Sequence, residues 1–503
     1  MHLVWFKRDL RLIDHAPLAE AAARGPVLGL FVFEPSLWRQ PTMDRAHFDF
    51  VVASLAELAE RLGRLGGRLL VRTGEVVDVL AALHAEHPLT ALHSHQETGD
   101  LASYARDRAV GAWARAAGVP WHEHLQGGVI RRLRSRDGWA ERWGAFMQGP
   151  LVPRPARVES PDGWEAGAPP DPGVLGVAGA PRPLAQPGGA LAGQALLRSF
   201  LAARGQHYRA VMGKPGPADD ACSRLSPHLA WGTVSARQAY HAGRARLAEL
   251  EGLAPTPEVR AWMASLASFE ARLAWRCHFM QKLEDEPGIE TRNMCRAYDG
   301  LREDGFDGAA FAAWAEGRTG YPLVDACMRS LAATGWLPFR MRAMVTAFAA
   351  YDLWLHWERP AWHLARLFLD YEPGIHYPQI QMQSGTTGIN ALRMYDVTKQ
   401  ARECDPEGHF IRRWVPELVG VPLEHLHAPW EMPPLTRLLV GAGEAYPAPI
   451  VARRDAVTRA RAGFAAVRAR PDTEAAAREV LERHGSRRSG DARVFRPGSR
   501  PRP

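Results

Sequence analysis

GWLPFRMRAMVTAFAAYDLWLHWERPAWHLARLFLDYEPGIHYPQIQMQSGTTGINALRMYDVTKQARECDPEGHFIRRWVPEL, residues 335–418, decides the fold. Its apolar residues recur at three- and four-residue spacing, the period of helices that bury one face. The same pattern runs outward from Leu196 to about Arg483, which predicts an all-α domain over 196–484. Upstream, 131–195 reads as an inter-domain linker, and its stretch 149–194 is rich in Pro, Gly and Ala. Residues 1–130 change character. Short apolar runs at His2–Phe6, Val27–Phe33, Leu69–Arg72, Ala91–His93 and Pro120–His124 alternate with helical stretches such as Phe48–Leu65 and Leu101–Ala117. That alternation predicts a Rossmann-like α/β domain, a parallel sheet with helices on both faces. Residues 485–503 are basic and poor in core formers, and read as a disordered tail.

A chain of 503 residues suits two domains. No run of eighteen uncharged apolar residues occurs, so no membrane span is expected. The charged segment Lys7-Arg8-Asp9 is unlike a signal peptide, and a cytoplasmic protein is expected. A net charge of +7 and a pI near 9.3 favour a polyanionic partner. With only four lysines, however, the basic charge is nearly all arginine, which reflects genome composition as much as a binding surface. The five cysteines are widely spaced without a CxxC pair, so neither a disulfide framework nor a metal site is expected. No GxGxxG follows the first strand, and ordinary dinucleotide binding in the α/β domain is not supported.

The quoted stretch resembles the flavin-binding core of the photolyase/cryptochrome superfamily. Further matches lie in the right order: VWFKRDLRLIDHAPL at 4–18, CSRLSPHLAWG at 222–232 and GRTGYPLVDACMRSLAATGW at 317–336. The resemblance implies FAD in the helical domain and an antenna chromophore of unspecified identity in the α/β domain. HSHQETGDLASYARD (93–107) stands where folate-binding members make their contacts, and differs from them. For FAD it implies Tyr208, Ser223, Arg224, Leu225 and Ser226 at the phosphates. Ser226 before Pro227 also reads as a helix cap with proline at the first helical position. Arg342 and Asp370 are implied as an ion pair beside the flavin ring, and Glu372 stands where Asp is usual. His376 falls at the position facing flavin N5, where Asn is typical, and residues there govern how readily N5 is protonated.

Other family positions are altered. Trp357 matches the middle of the tryptophan chain that supplies electrons, while Ile380 and Asp304 replace its inner and outer members. Trp336, Trp354, Trp362, Tyr377 and Tyr395 are candidates for another route. At the lesion pocket Trp275 matches one aromatic wall, Arg272 stands at a Glu position, Phe339 at an Asn position, and Met382 replaces a second Trp. Arg393 matches an arginine near flavin and substrate, and Arg340 is implied at DNA phosphate or FAD. The resemblance thus implies a monomeric DNA photolyase that splits UV-induced pyrimidine dimers with blue light. The alternative is a cryptochrome, a photoreceptor with a protein signalling partner and no repair. A flavin redox enzyme without photochemistry is a third reading.

Overall fold

The computed structural model describes residues 1–439 and 446–486. Residues 487–503, nearly all of the expected basic tail, lie outside the described residues.

Five strands, β1 (His2–Trp5), β2 (Val27–Phe33), β3 (Arg68–Thr73), β4 (Ala91–His95) and β5 (Trp121–His124), form a parallel sheet in the order β3-β2-β1-β4-β5. Strands buried on both faces read as unbroken apolar runs, and VLGLFVF of β2 is buried at every position. The edge strand β5, WHEH, is polar and half-buried throughout. Helices Ala16–Arg24 and Arg45–Gly63 cover one face, and Val76–Glu86 and Leu101–Ala116 the other.

The segment 131–195 is anchored rather than loose. Its helix Trp139–Gln148 buries Trp139, Trp143 and Met147 against the helical domain. Beyond it the chain bonds to the sheet layer through Val158 N to Leu65 O (2.8 Å), Val27 N to Glu159 O (2.7 Å) and Val71 N to Ala166 O (2.7 Å), and it buries Trp164 and Leu175 there. A few apolar side chains in a Pro/Gly-rich segment suffice to fasten it.

From Ala190 onward the described chain is helical and loop. Local chemistry marks the ends of the helices. Pro257–Asp285, Pro322–Thr334 and Pro373–Ser384 each start on proline, whose missing N–H is not needed in a first turn. Pro322–Thr334 and Pro373–Ser384 stop at Gly335 and Gly385, both left-handed with φ of 73° and 79°. Helix Pro373–Ser384 crosses Pro257–Asp285 so closely that a Cβ on Gly374 would sit 2.9 Å from the Met280 Cα. Gly374→Ala is therefore expected to cost about 1–3 kcal/mol through overpacking. A urea midpoint unchanged from wild type would show that this crossing tolerates a methyl group.

The two domains meet across the CSRLSPHLAWG segment. Arg8 stacks on Trp231 at 4.4 Å and donates to the Tyr371 carbonyl at 3.0 Å, and Arg11 donates to the Gly232 carbonyl at 3.1 Å. Gly232 has φ of 68° and its Cα faces the Arg8 backbone, so no larger residue fits. No helix of the described residues is long and apolar enough to cross a membrane.

Candidate functional site

A cavity of about 600 Å³ opens in the helical domain, within the size range of cofactor sites. Four separate stretches wall it: Tyr208–Ala230, the helix Pro257–Asp285 along its Phe269–Phe279 face, Trp336–Thr346, and Phe368–Gln383. Of the residues expected at a cofactor or substrate, Tyr208, Ser223, Arg224, Leu225, Ser226, Arg272, Trp275, Phe339, Arg340, Arg342, Asp370, Glu372 and His376 all line it. Met382, Arg393 and Trp357 do not. Trp357 is wholly buried and donates to Asn293 Oδ1 at 2.7 Å, and Met382 is buried on another face of its helix.

Arg342 grips Asp370 with both terminal nitrogens, at 2.9 and 2.8 Å, while its Nε donates to the Leu337 carbonyl at 2.7 Å. Burial pushes the Asp370 carboxyl up, but the Arg342 guanidinium outweighs it and holds the group below the ordinary carboxylate range. Glu372 lies between Arg276 Nη2 at 2.7 Å and Arg8 Nη1 at 3.6 Å. There burial prevails over both guanidinium groups, and the carboxyl is raised.

His376 Nε2 is 2.9 Å from the Ala361 carbonyl, which only accepts, so this nitrogen carries the proton. Burial lowers the pKa of His376 to about 4, and the ring is neutral with Nδ1 left as an acceptor. Arg224 adopts a left-handed backbone, φ 58°, unusual for a bulky residue, and its guanidinium stacks on Trp336 at 4.1 Å.

The expected cap at Ser226 is not formed. Ser226 is itself the first residue of the short helix Ser226–Ala230, Leu225 before it is already helical in conformation, and no side chain caps the end. The hydroxyl approaches Asp370 but makes no well-formed hydrogen bond. Gln383 Oε1, also on the cavity wall, is buried without a partner. Buried polar atoms are normally satisfied, so these two point to a polar ligand. Gln379 and Gln383 were not among the sequence candidates. Their signal is periodicity: Ile375, His376, Gln379, Ile380 and Gln383 fall on one helical face, and all line the cavity.

At the cavity mouth Trp275 and Phe339 are 41% and 37% exposed. Arg272 lies over both rings, at 4.5 and 5.4 Å. A second, small cavity of about 50 Å³ lies between the domains, lined by Arg8, Gln96, Glu97, Thr98, Arg276 and Glu372 among others. It adjoins the carboxyl ends of β1 and β4, where the strand order reverses.

A parallel α/β domain joined to a helical domain with a large, polar-studded cavity defines a two-domain cofactor-binding protein. The chain belongs to the photolyase/cryptochrome superfamily: residues 2–132 match DNA photolyase, and residues 269–466 match the FAD binding domain of DNA photolyase. It is 31% identical over 478 residues to the deoxyribodipyrimidine photo-lyase of Halobacterium salinarum, covering 90% of this chain and 96% of that protein. A bacterial class III photolyase from Agrobacterium tumefaciens superposes with a TM-score of 0.80 at 26% identity, over 93% of this chain and 97% of that one. An archaeal photolyase from Sulfolobus tokodaii, described with two FAD molecules and a novel light-harvesting cofactor, superposes with a TM-score of 0.76 at 25% identity, over 93% of this chain and 100% of that one. The cavity fits FAD in volume, in its cationic and carboxylate groups and in its unpaired polar atoms.

Proposed function

We propose that this protein is a blue-light-driven DNA photolyase that splits UV-induced pyrimidine dimers. The observation that carries the reading is the pair of exposed aromatic side chains, Trp275 and Phe339, on the wall of the large cavity with the Arg272 guanidinium over both rings. Such surfaces take bases that have left a duplex. FAD bound in this cavity would supply the light-driven, redox-neutral electron-transfer chemistry that dimer splitting needs.

The protein's own residues do the rest. Ser223, Arg224 and Ser226 hold the pyrophosphate by hydroxyl donors and charge, beside Tyr208 and Leu225. Arg342 and Asp370 would fix charge beside a bound ring system, and Glu372, held by Arg276 and Arg8, lines the same cavity. Neutral His376 offers an acceptor nitrogen at the cavity wall, so it favours a ligand that donates there. Trp275 and Phe339 receive the lesion, and Arg340 on the cavity rim, which bonds Gln400 Oε1 at 2.7 Å and Glu403 Oε2 at 2.9 Å, exchanges those partners for a backbone phosphate. Trp357, deep in the core, relays electrons rather than touching substrate. An antenna pigment in the α/β domain, a monomeric chain and a cytoplasmic location belong to the same reading.

The test is a repair assay with photoreduced protein on oligonucleotides carrying one cyclobutane dimer or one (6-4) product, under blue light and in darkness. Light-dependent restoration of either lesion supports the proposal and names the substrate. Flavin photoreduction without repair of either would assign the protein to the cryptochromes instead, where a signalling partner replaces DNA.

A further inference from the structure

Polar groups that the cavity does not use concentrate on one face of the sheet. The strands carry HSH at 93–95 in β4, HEH at 122–124 in β5 and His2 in β1. The register pairs His93 with His122 and His95 with His124, so alternation brings the four imidazoles to the same face. That face is covered by the helix Ala16–Arg24, which contributes Glu20.

His93 is completely buried and stacks on His122 at 4.9 Å, with His124 at 6.4 Å. One ring nitrogen each of His93 and His124 and one Glu20 carboxylate oxygen lie within 4.8 Å of one another. His124 Nε2 is 3.2 Å from Glu20 Oε2, without a well-formed hydrogen bond. His93 Nε2 is 3.1 Å from His2 Nδ1, and His93 Nδ1 is buried with no partner at all. A fully buried imidazole held by one nitrogen and bare at the other is the arrangement of a histidine metal ligand, whose outer nitrogen bonds a supporting group. The neighbouring Asp9–His15–His95 group differs. There one Asp9 oxygen already bonds His15 Nε2 at 3.0 Å and His95 Nδ1 at 2.7 Å, leaving that carboxylate oxygen committed.

We propose that His93, His124 and Glu20 form a binding site for a divalent transition cation of the Zn²⁺ class, with His2 orienting His93 from behind. Two imidazoles and a carboxylate are a donor set that suits Zn²⁺, with the fourth position open to water or to His122. Arg24 holds the other Glu20 oxygen at 2.6 Å and so orients the carboxylate. Glu20 and His124, with side chains 30% and 18% exposed, open a route from solvent. None of these residues lines the large cavity, so the cation clamps β4, β5 and the helix Ala16–Arg24 together and takes no part in chemistry there.

The test uses the full-length protein without an affinity tag, stripped of metal by a chelator. Zn²⁺ uptake is followed by calorimetry, and Co²⁺ uptake by its ligand-field absorption. One equivalent per chain is expected, bound at least tenfold more weakly by Glu20→Gln and by His124→Gln, with flavin content unchanged. Both variants alter partly exposed positions and spare the buried His93. The proposal is overturned if the wild type shows no saturable one-to-one uptake. It is equally overturned if both variants bind as tightly as wild type, which would place the cation elsewhere.

Discussion

Arg342→Ala is expected to produce protein that no longer retains FAD at one equivalent per chain and that unfolds at markedly lower urea concentration. The Arg342 guanidinium satisfies both oxygens of Asp370, packs over the Phe368 ring at 4.1 Å and ties down the Leu337 carbonyl. The Asp370 side chain is only 4% exposed with Arg342 in place, so its charge depends chiefly on that partner. Removing one member of a buried pair costs about 3–5 kcal/mol, far more than the pair's net contribution, because a buried charge is left alone. Arg342→Lys keeps the charge but gives up the two-pronged geometry, and an intermediate loss is expected. The double variant Arg342→Met/Asp370→Leu should recover much of the stability while still failing to hold flavin. The flavin-to-protein absorbance ratio and urea unfolding check both points. An alanine variant with full flavin and an unshifted midpoint would sink the argument that this pair organises the cavity.

Acid is expected to unfold the protein well above the carboxylate range. Burial lowers the pKa of His47 and His95 to about 3 and of His228 and His376 to about 4, and all four are buried side chains. Each is held by a specific neighbour: His47 by the Phe368 carbonyl, His95 by Asp9, His228 by the Thr233 hydroxyl and His376 by the Ala361 carbonyl. In the unfolded chain a histidine takes up a proton near pH ~6.5. Between that value and the folded pKa the unfolded state therefore binds more protons, and stability falls as pH falls. By about pH 5 the loss is on the order of 2 kcal/mol per histidine, and four together approach the whole stability of a typical domain. Below the folded values the slope from these groups vanishes. Urea midpoints measured from neutral pH downward should drop steeply through this window. A flat profile down to about pH 5 would mean that these imidazoles are hydrated or charged in the native state.

Much of the architecture was legible. All five strands were located to within two residues at each end, the central ones as short apolar runs and the polar edge strand β5 by its place in the alternation of strands and helices. The helical domain was equally plain, since its apolar residues recur at three- and four-residue spacing. Less legible was the role of 131–195, whose Pro/Gly-rich composition conceals Trp164 and Leu175 as anchors in the α/β core. The Ser226 cap was misread because the conformation of Leu225, which sets where the helix begins, leaves no mark in the local sequence.

The residues of the flavin cavity were implied by the resemblance to the photolyase/cryptochrome superfamily; the amino-acid sequence by itself determined the two-domain plan and the helical and strand periods. Those depend on side-chain patterns within a few turns or strands, which any reader of the chain can see. Only the tertiary structure decided that Tyr208, Trp275, Phe339 and Gln383 share one cavity while Met382 and Arg393 stay off it. Only the sheet register brought His93 and His124 together beneath Glu20. Such contacts join residues far apart in the chain, and they are set by which helix and sheet faces pack against each other, a choice made by the buried surfaces of the whole molecule rather than by any local stretch.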